Sequence, residues 1–430
     1  MKVIQNEKRI GIEVFYNQDP GLGGRLRYYP EDFKVTEISN YPKEKTNGRF
    51  TIAEISSVNW ETNQLVKEIS NKLHMSRQRI GFAGTKDKRA KTKQLMSFYK
   101  TDVEKLKEVR INDIIIENIY TSDKPVKTGN LVGNNFDITI RNVDKRITKE
   151  NIDKITNFFK EKGGFPNYFG VQRFGIIRPI THSVGKFIVK GDFEKAVLTY
   201  LAEPFEDEDE ETFNLRNDLK QTYDFAEALK RFPNKLNYEK AMLNALINEP
   251  EDFIKALKQL PKNLLTMFVY AYQSYLFNKI LSERLKKEIP INEACIGDII
   301  LPVRKNIIEQ ENIFTTERNI EKINKQISKG KAFVSGVLFG TDTIFSDGIM
   351  GEIERDIINK EKIDPRDFII PDMPYLSSSG LRRALIAPVD NLYSSILEDN
   401  VVNLKFDLKK GCYATCLLRE YMKADNIKVY

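Results

Sequence analysis

Segments that alternate between apolar and polar residues are concentrated near the two ends of this 430-residue chain, whereas helical patterns fill much of its middle. Residues 402–408 alternate most clearly, and residues 33–38 and 136–141 share the period of two that is typical of half-buried strands. Residues 192–284 are instead charged and mostly helical in pattern. If the strands of both chain ends form one sheet, the helical segment between them is an insertion. The pattern therefore predicts an α+β core with a mid-chain insertion.

Further elements follow from the same periodicities. Apolar residues at helical spacing predict helices at 61–74, 152–162 and 266–285. Short strands are predicted at 94–99 and 332–338. The insertion therefore combines long helices with short strands.

Two acidic features stand out from these elements. Glu37 lies on the otherwise apolar face of the predicted strand 33–38, where it could line a pocket. The uninterrupted acidic run at 206–211 is expected in a solvated loop, because blocks of like charge repel one another. Such a run is also a poor contact for a polyanion, so we expect it to face away from any binding cleft.

The numbers of charged residues, cysteines and histidines limit the functions that this chain could have. Lys and Arg (68) exceed Asp and Glu (61), and the net charge of +7 permits nucleic-acid binding without requiring it. The three cysteines (Cys295, Cys412 and Cys416) form no disulfide framework, which indicates a reducing compartment. Neither of the two histidines, His74 and His182, belongs to a zinc motif, so no metal is expected.

Targeting signals are also missing from the sequence. The first residues lack the apolar core of a signal peptide. No apolar run approaches the roughly 18 residues that a membrane-spanning helix needs. We therefore expect a cytoplasmic protein without a membrane partner.

The segment IGFAGTKDKRA at 80–90 carries one carboxylate, Asp87, among Lys86, Lys88 and Arg89. A carboxylate surrounded by cations keeps its charge and its lone pairs, and the glycines of the segment let the backbone bend or approach a ligand closely. The segment could thus hold a carboxylate nucleophile that acts on a polyanion. A solvated surface turn, in which Asp87 merely neutralises its neighbours, is the alternative.

A second dense motif is FPNYFGVQRFG at 165–175. Its aromatic rings offer flat faces to an unstacked base, while Asn167, Gln172 and Arg173 offer hydrogen bonds to base edges and phosphates. The alternative is an aromatic-rich turn that completes the core.

Together these motifs resemble the TruD family of tRNA pseudouridine synthases. The likeness rests on the segments PEDFKVTE (30–37), FAGTKDKRA (82–90), GNNF (133–136), NYFGVQRFG (167–175), QSYLFN (273–278), RRA (382–384) and GCYATCLLRE (411–420). They occur in the family's order from about residue 24 to residue 420. The likeness covers nearly the whole chain, and the second and fourth segments together are highly specific.

The resemblance implies a fold and a reaction. The fold would be a mixed and antiparallel pseudouridine synthase sheet with helices, formed by residues 1–189 and 379–430. An α+β TRUD domain would be inserted at 190–378, in a V-shaped arrangement with a cleft. The reaction would be cofactor-independent isomerisation of a uridine in tRNA, with U13 of the D arm as the expected target, by a monomeric enzyme.

The resemblance also implies the catalytic residues. Asp87 matches the family's nucleophile, which attacks either C1′ of the ribose or C6 of the base; the sequence leaves both routes open. Arg27 matches a basic residue that would hold Asp87 ionised. Phe169 would lie against the target uracil, and Asn167 would orient the nucleophile or its loop.

Residues that would bind substrate follow in the same way. Phe33 and Tyr413 match aromatic positions that close the pocket, although the family more often has Phe at the position of Tyr413. A basic stripe beside the nucleophile would contact phosphates, and Arg173 could bind phosphate or hold its loop. The stripe consists of Lys86, Lys88, Arg89, Lys91 and Lys93.

Other functions compete with this interpretation. Residues 81–84 match the GXXG loop of KH domains, so a non-catalytic RNA-binding protein is one alternative. The same isomerase acting mainly on another RNA site is a second. A glycosidase-like hydrolase is a third, and it would need Glu37 as a second carboxylate beside Asp87.

Overall fold

The structure is a computed structural model that describes residues 3–86, 88–305, 307–426 and 429. Its helices are α1 (Gln5–Arg9), α2 (Thr62–Lys72), α3 (Val103–Lys107), α4 (Lys149–Lys162), α5 (Thr181–Val189), α6 (Phe193–Ala202), α7 (Glu210–Thr222), α8 (Phe225–Arg231), α9 (Asn237–Asn248), α10 (Phe253–Leu257), α11 (Lys262–Lys286), α12 (Ile320–Ile327), α13 (Gly348–Glu361) and α14 (Ala414–Met422).

Its strands are β1 (Gly23–Arg25), β2 (Phe33–Ser39), β3 (Phe50–Val58), β4 (Ile80–Phe82), β5 (Lys91–Tyr99), β6 (Ile114–Ser122), β7 (Leu131–Val143), β8 (Phe165–Pro166), β9 (Ile299–Arg304), β10 (Ile307–Ile308), β11 (Ile313–Phe314), β12 (Ala332–Leu338), β13 (Leu381–Ala384), β14 (Ile386–Ala387), β15 (Val389–Glu398) and β16 (Val401–Lys409). The expected α+β class is confirmed.

The chain divides into two compact units. The sheet unit consists of Asn17–Phe165 and Ala387–Tyr430, and the helical unit consists of Met1–Tyr16 and Pro166–Ile386. Each unit therefore combines segments that are far apart in the sequence. The predicted family domains, with an insertion at 190–378, are defined differently from these compact units and stay a prediction.

Nine strands of the described chain form the main sheet of the sheet unit, in the order β15-β16-β7-β2-β5-β3-β6, with β1 on β7 and β4 on β5. The three strands expected from alternation, now β2, β7 and β16, are immediate neighbours. Val35 pairs with Phe136, and Phe136 pairs with Phe406. The two phenylalanine rings stack with centroids 5.1 Å apart, which adds to the apolar burial that sets this register.

One face of this sheet is covered by α2, the helix predicted at 61–74. Glu61 caps it by accepting hydrogen bonds from the N–H groups of Asn63 and Gln64. Leu65 and Ile69, four residues apart, are buried against β3, β4 and β5. The spacing of apolar residues thus fixed both the helix and the face that it buries.

The helical unit is organised around α11, which is buried along most of its length. Helix α5 packs against it at Gly185, where a Cβ atom would lie only 1.9 Å from the carbonyl oxygen of Phe268. Glycine is required there because the two backbones approach closely. A smaller sheet of the described residues, in the order β10-β9-β12-β13 with β11 on β9, completes the unit.

The acidic run at 206–211 differs from its expectation. Asp209 caps α7, and the side chain of Glu208 is buried. Glu208 accepts a hydrogen bond from Arg216 at 3.0 Å and forms an ion pair with Arg178 at 3.4 Å. The prediction of a fully solvated run was therefore wrong at Glu208. Its partners are Arg216 in α7 and Arg178 in the loop before α5, and a count of charges along the run does not reveal them.

Two further findings concern the cysteines and the membrane. Cys416 is buried in α14, but Cys412 precedes that helix and is half-buried. Of these two cysteines, therefore, Cys416 alone lies in the helix. Within the described ranges, none of the helices has the length and apolar character needed to span a bilayer.

Candidate active site

The predicted site residues are distributed over both units. Asp87, the predicted nucleophile, lies outside the described residues. The sheet unit holds Arg27, Phe33, Lys86, Lys88, Arg89 and Tyr413, and the helical unit holds Asn167, Phe169 and Arg173.

Lys86, immediately before Asp87, is anchored inside the sheet unit. Its side chain is only 6% exposed, and its ammonium donates a hydrogen bond of 3.2 Å to Glu37, whose side chain is 1% exposed. Its backbone N–H donates to the hydroxyl of Thr62, the first residue of α2, at 2.7 Å. The acidic residue that looked out of place on β2 is thus the partner of a buried lysine.

Arg89, on the other side of Asp87, is exposed but held by its backbone and its side chain. Its N–H donates to Asn59 at 3.2 Å, and its guanidinium donates to the carbonyl of Arg27 at 3.4 Å. The guanidinium carbon of Arg27 in turn lies 4.2 Å from the ring centroid of Phe33. The structure therefore brings Arg27, Phe33 and Arg89 together beside the segment of Asp87.

The rest of the basic stripe divides into exposed and paired cations. Lys88 and Lys91 are exposed. Lys93 instead forms ion pairs with Glu54 at 2.5 Å and Glu117 at 2.9 Å, and these hydrogen bonds raise the pKa of its ammonium. Only some cations of the predicted basic stripe are therefore free to contact a polyanion.

The two predicted pocket aromatics of the sheet unit differ in burial. Phe33 is buried and makes an edge contact with Phe136, with ring centroids 6.4 Å apart. Tyr413 is half-buried and occupies the N-cap position of α14. Its carbonyl accepts the N–H of Cys416 at 3.0 Å.

In the helical unit, Asn167 is tied to β13. Its amide nitrogen donates to the carbonyl of Ala384 at 2.9 Å, and its amide oxygen accepts from the guanidinium of Arg383 at 2.5 Å. Arg383 also donates to the backbone carbonyl of Asn167 at 3.2 Å. Both ends of the side-chain amide are thus used, which fixes its orientation.

Phe169 is buried and held from two directions. Its backbone N–H and C=O both bond to the side-chain amide of Asn278, at 2.9 and 3.0 Å. Its ring lies 4.1 Å from the guanidinium carbon of Arg383, and makes an edge contact with Phe277 at 5.7 Å. A cation above an aromatic face at this distance is a favourable contact.

Arg173 lies at the edge of this cluster. Its guanidinium carbon is 6.0 Å from the ring centroid of Phe169 and 5.9 Å from that of Tyr270. Its Nε donates to the hydroxyl of Ser274 at 3.4 Å. These contacts link the short 3-10 helix Val171–Arg173 to α11.

The described residues offer cations on either side of Asp87 in the sequence, aromatic rings and fixed amides, which suit electrostatic and stacking interactions with a nucleic acid. Among them, no group of three or more His, Cys, Asp or Glu side chains is arranged to hold a metal ion.

Comparison with known proteins decides the family. The family model described as tRNA pseudouridine synthase D (TruD) matches residues 9–421. The chain belongs to the TruD family. The resemblance drawn from the seven motifs is thereby confirmed, and membership makes the chain a pseudouridine synthase, an RNA uridine isomerase.

Individual TruD relatives are similar to this chain along nearly their full length. The chain is 42% identical to a protein of Methanococcoides burtonii, over 98% of each chain, and 42% identical to one of Methanosarcina barkeri, over 100% of each. Both carry the name "Probable tRNA pseudouridine synthase D". A TruD crystal structure from Methanosarcina mazei matches with a TM-score of 0.89 and 40% identity, over 100% of both chains.

Two residues of this TruD chain that hold predicted site residues were missed as individual positions. Arg383 contacts both Asn167 and Phe169, and Asn278 bonds the backbone of Phe169. The sequence did point to both regions, because Arg383 lies in the RRA segment and Asn278 ends the QSYLFN segment, and both segments support the family resemblance. Neither segment indicates by itself which side chain it contacts.

Proposed function

We propose that this chain converts U13 in the D arm of tRNA to pseudouridine, with Asp87 as the nucleophile. Membership of the TruD family supports the isomerase class. The observation that carries the assignment of Asp87 is the anchoring of the segment on either side of it: Lys86 is tied to Glu37 and Thr62, and Arg89 is tied to Asn59 and Arg27. Anchored flanks suit a residue that must meet its target in a fixed geometry.

The proposed reaction is an isomerisation. The bond between N1 of uracil and C1′ breaks, a bond between C5 and C1′ forms, C5 loses its proton and N1 ends with one. Nothing is oxidised or reduced, so no redox partner is required. The carboxylate of Asp87 attacks C1′ or C6, and the cations that flank it in the sequence favour its ionised form.

The base must leave the RNA stack before it reacts. Unstacking and unpairing cost a few kcal/mol, and stacking on an aromatic ring returns roughly 1–3 kcal/mol. We assign this stacking to Phe169, and the closing of the pocket to Phe33 and Tyr413. Asn167 then orients the reacting groups, as its two fixed amide contacts allow.

Phosphate contacts supply the remaining binding energy. Lys88 and Arg89 are exposed and positively charged, and they are assigned to the RNA backbone together with Arg173. Lys86 is assigned instead to holding the segment of Asp87, because its ammonium is buried against Glu37. We further propose that the enzyme acts as a monomer in the cytoplasm; light scattering with and without tRNA tests the oligomeric state.

The test uses a tRNA transcript with uridine at position 13 and a matched transcript with cytidine there. Pseudouridine is mapped by carbodiimide modification and primer extension. Wild type should give a stop at position 13 of the first transcript, whereas Asp87→Ala and Asp87→Asn should give none. Asp113→Asn, which changes an exposed carboxylate of the same unit, is the control and should stay active.

Each outcome selects among the functions still open. Full activity in Asp87→Ala would exclude Asp87 as the nucleophile. A stop at another uridine in wild type would replace U13 by that site. A wild-type protein that binds tRNA but modifies no uridine would be an RNA-binding protein, as the GXXG alternative supposes.

A further inference from the structure

Two exposed tyrosines lie next to each other in the sheet unit, directly after Arg27. Tyr28 is 47% exposed and Tyr29 is 52% exposed, and their rings form an edge contact with centroids 4.9 Å apart. Single exposed apolar side chains are common on protein surfaces. Two adjacent exposed rings with a defined mutual geometry are less so.

An arginine lies over each ring. The guanidinium carbon of Arg25 is 5.8 Å from the ring centroid of Tyr28, and that of Arg141 is 5.1 Å from the ring centroid of Tyr29. Arg25 and Arg141 are directly paired between β1 and β7. Like charges in opposed positions destabilise a sheet, so a counter-charge beside this pair is favourable.

Only one of the two arginines is neutralised within the described part of the chain. Asp32 accepts hydrogen bonds of 2.8–3.0 Å from Arg141, and these raise the pKa of that guanidinium. The same carboxylate accepts the N–H of Tyr29 at 2.9 Å, which fixes the ring beside its arginine. Arg25 forms no ion pair among the described residues, and its charge is exposed.

The chemistry of this aromatic–arginine patch (Arg25, Tyr28, Tyr29 and Arg141) matches single-stranded nucleic acid. Aromatic faces accept an unstacked base, and guanidinium groups hold the adjoining phosphates. The RNA of the proposed function supplies both of these groups, a base and the phosphate next to it. Glu31 is the exposed carboxylate in the same turn, and it weakens the positive field without cancelling it.

We propose that the aromatic–arginine patch binds an unpaired base of the RNA substrate, by stacking on Tyr28 or Tyr29, and the phosphate next to it, through Arg25. The inference rests on the proposed function, since that function supplies the RNA. The patch is adjacent in sequence to Arg27, whose carbonyl accepts from Arg89 beside Asp87. The bound base therefore belongs to a nucleotide near the target uridine.

The test measures tRNA affinity by fluorescence anisotropy and, separately, pseudouridine formation at saturating tRNA. Tyr28→Ala, Tyr29→Ala and their double variant are compared with Tyr28→Phe and Tyr29→Phe, which keep the rings. At least one alanine variant, and the double variant, should bind tRNA about 5- to 150-fold more weakly, the range that loss of one stacked base implies. The phenylalanine variants should stay within about twofold of wild type, because stacking needs no hydroxyl.

Controls separate this role from stability and from net charge. Tyr393→Ala removes another exposed tyrosine of the sheet unit, 58% exposed on β15, and should leave affinity unchanged. Arg25→Gln should lower the slope of log Kd against log salt by about one phosphate contact, whereas Glu31→Gln should tighten binding. At saturating tRNA, pseudouridine formation by Tyr393→Ala should also match wild type.

Wild-type affinity in the double Tyr28→Ala, Tyr29→Ala variant would overturn the inference, as would phenylalanine variants that bind as weakly as the alanine ones. The proposed function fails separately, if wild type forms no pseudouridine in tRNA. In that case a loss of tRNA affinity in the alanine variants still supports the patch, because anisotropy does not depend on catalysis.

Discussion

The side-chain amide of Asn278 forms hydrogen bonds with both backbone groups of Phe169. Its oxygen accepts the N–H at 2.9 Å and its nitrogen donates to the C=O at 3.0 Å, in a region where Asn278 is fully buried. The same nitrogen also donates to the carbonyl of Ile10 at 2.9 Å. One amide therefore fixes the backbone that carries the predicted stacking ring.

Replacing Asn278 by alanine should destabilise the protein by about 2–3 kcal/mol, because buried backbone groups lose their partners. Pseudouridine formation should fall as well, since the Phe169 ring loses its fixed position. Chemical denaturation followed by circular dichroism measures the first effect. Asn244→Ala, at an exposed position of α9, should stay within about 0.5 kcal/mol of wild type; an Asn278→Ala variant of equal stability would contradict the expectation.

Arg383 should act on rate more than on affinity. Its planar guanidinium bonds Asn167 and covers the ring of Phe169, and a lysine ammonium cannot reproduce that fork. Arg383→Lys should lower kcat roughly 10- to 100-fold, the effect of misplacing reacting groups by about 1 Å, with KM little changed. Steady-state kinetics on tRNA measure both constants.

The neighbouring arginine provides the comparison for that experiment. Arg382 is buried and donates to Glu354 at 2.8 Å and to Ser335 at 2.8 Å. Arg382→Lys should lower stability, and it should leave the kcat of the folded fraction near wild type. If both variants lost kcat equally, a positioning role specific to Arg383 would be excluded.

The ion pair between Lys86 and Glu37 should stabilise the fold. Glu37→Gln leaves a buried ammonium without its counter-charge, which typically costs about 3–5 kcal/mol. The double variant Glu37→Gln, Lys86→Met removes the charge as well and should recover part of that loss, so a double-mutant cycle isolates the coupling. Equal stability of Glu37→Gln and wild type would show that the pair contributes nothing.

The exposed and paired cations of the basic stripe should differ in their salt dependence. Lys88→Gln and Arg89→Gln should each lower the slope of log Kd for tRNA against log salt by roughly 0.7–0.9, the value of one phosphate contact. Lys93→Gln should leave the slope unchanged, because Glu54 and Glu117 already occupy its ammonium. Anisotropy titrations at several salt concentrations test all three, and equal slopes would remove the distinction.

His182 should make stability depend on pH. Its pKa is lowered to about 4, mainly by burial and also by the nearby cation Lys186, while a hydrogen bond to the backbone of Arg9 opposes both effects. An unfolded histidine titrates near 6.5, so between about pH 4 and 6.5 the unfolded chain binds the extra proton. Stability should therefore fall by about 3 kcal/mol as the pH drops through this window.

Denaturation midpoints between pH 4 and 7.5 test this expectation. His182→Phe removes the titrating ring but keeps an aromatic group against Tyr275, on which His182 stacks at 4.8 Å. The variant should lose this part of the pH dependence. His74→Gln, at an exposed position, should retain it. An unchanged profile in His182→Phe would assign the acid sensitivity to other groups.

Periodicity predicted the elements well, because a half-buried strand or helix must repeat its apolar residues at a fixed spacing. The strand expected at 332–338 is β12, and the helix expected at 152–162 is the larger part of α4. That helix ends at Lys162 and is followed by Gly163 in the left-handed region (φ 73°). Helix α11 begins four residues before its predicted start, after Pro261. The first and last residues of a helix or strand depend on caps and turns, and the spacing of apolar residues gives no information about these.

The site was harder to predict because its contacts connect distant parts of the sequence. In the sequence, Lys86 is one member of a basic stripe. Its side chain is bonded to Glu37, 49 residues earlier. Residues of a loop do not alternate regularly between buried and exposed positions, so the sequence does not indicate which of its side chains are buried. Arg383 and Asn167 are 216 residues apart. Such contacts follow from strand order and chain crossings, and the resemblance located their segments without indicating their pairing.

The pairing of β7 with β16 has a consequence for folding during translation. One side of β7 is paired along its length with β16, whose residues are synthesised long after those of β7. During synthesis of everything between these strands, β7 presents an open edge, and open edges invite pairing with other chains. A message truncated before residue 401 would yield a polypeptide that keeps this liability permanently. Synthesis of β16 is thus the event that closes this side of β7, and premature termination should produce aggregation in place of a smaller folded enzyme.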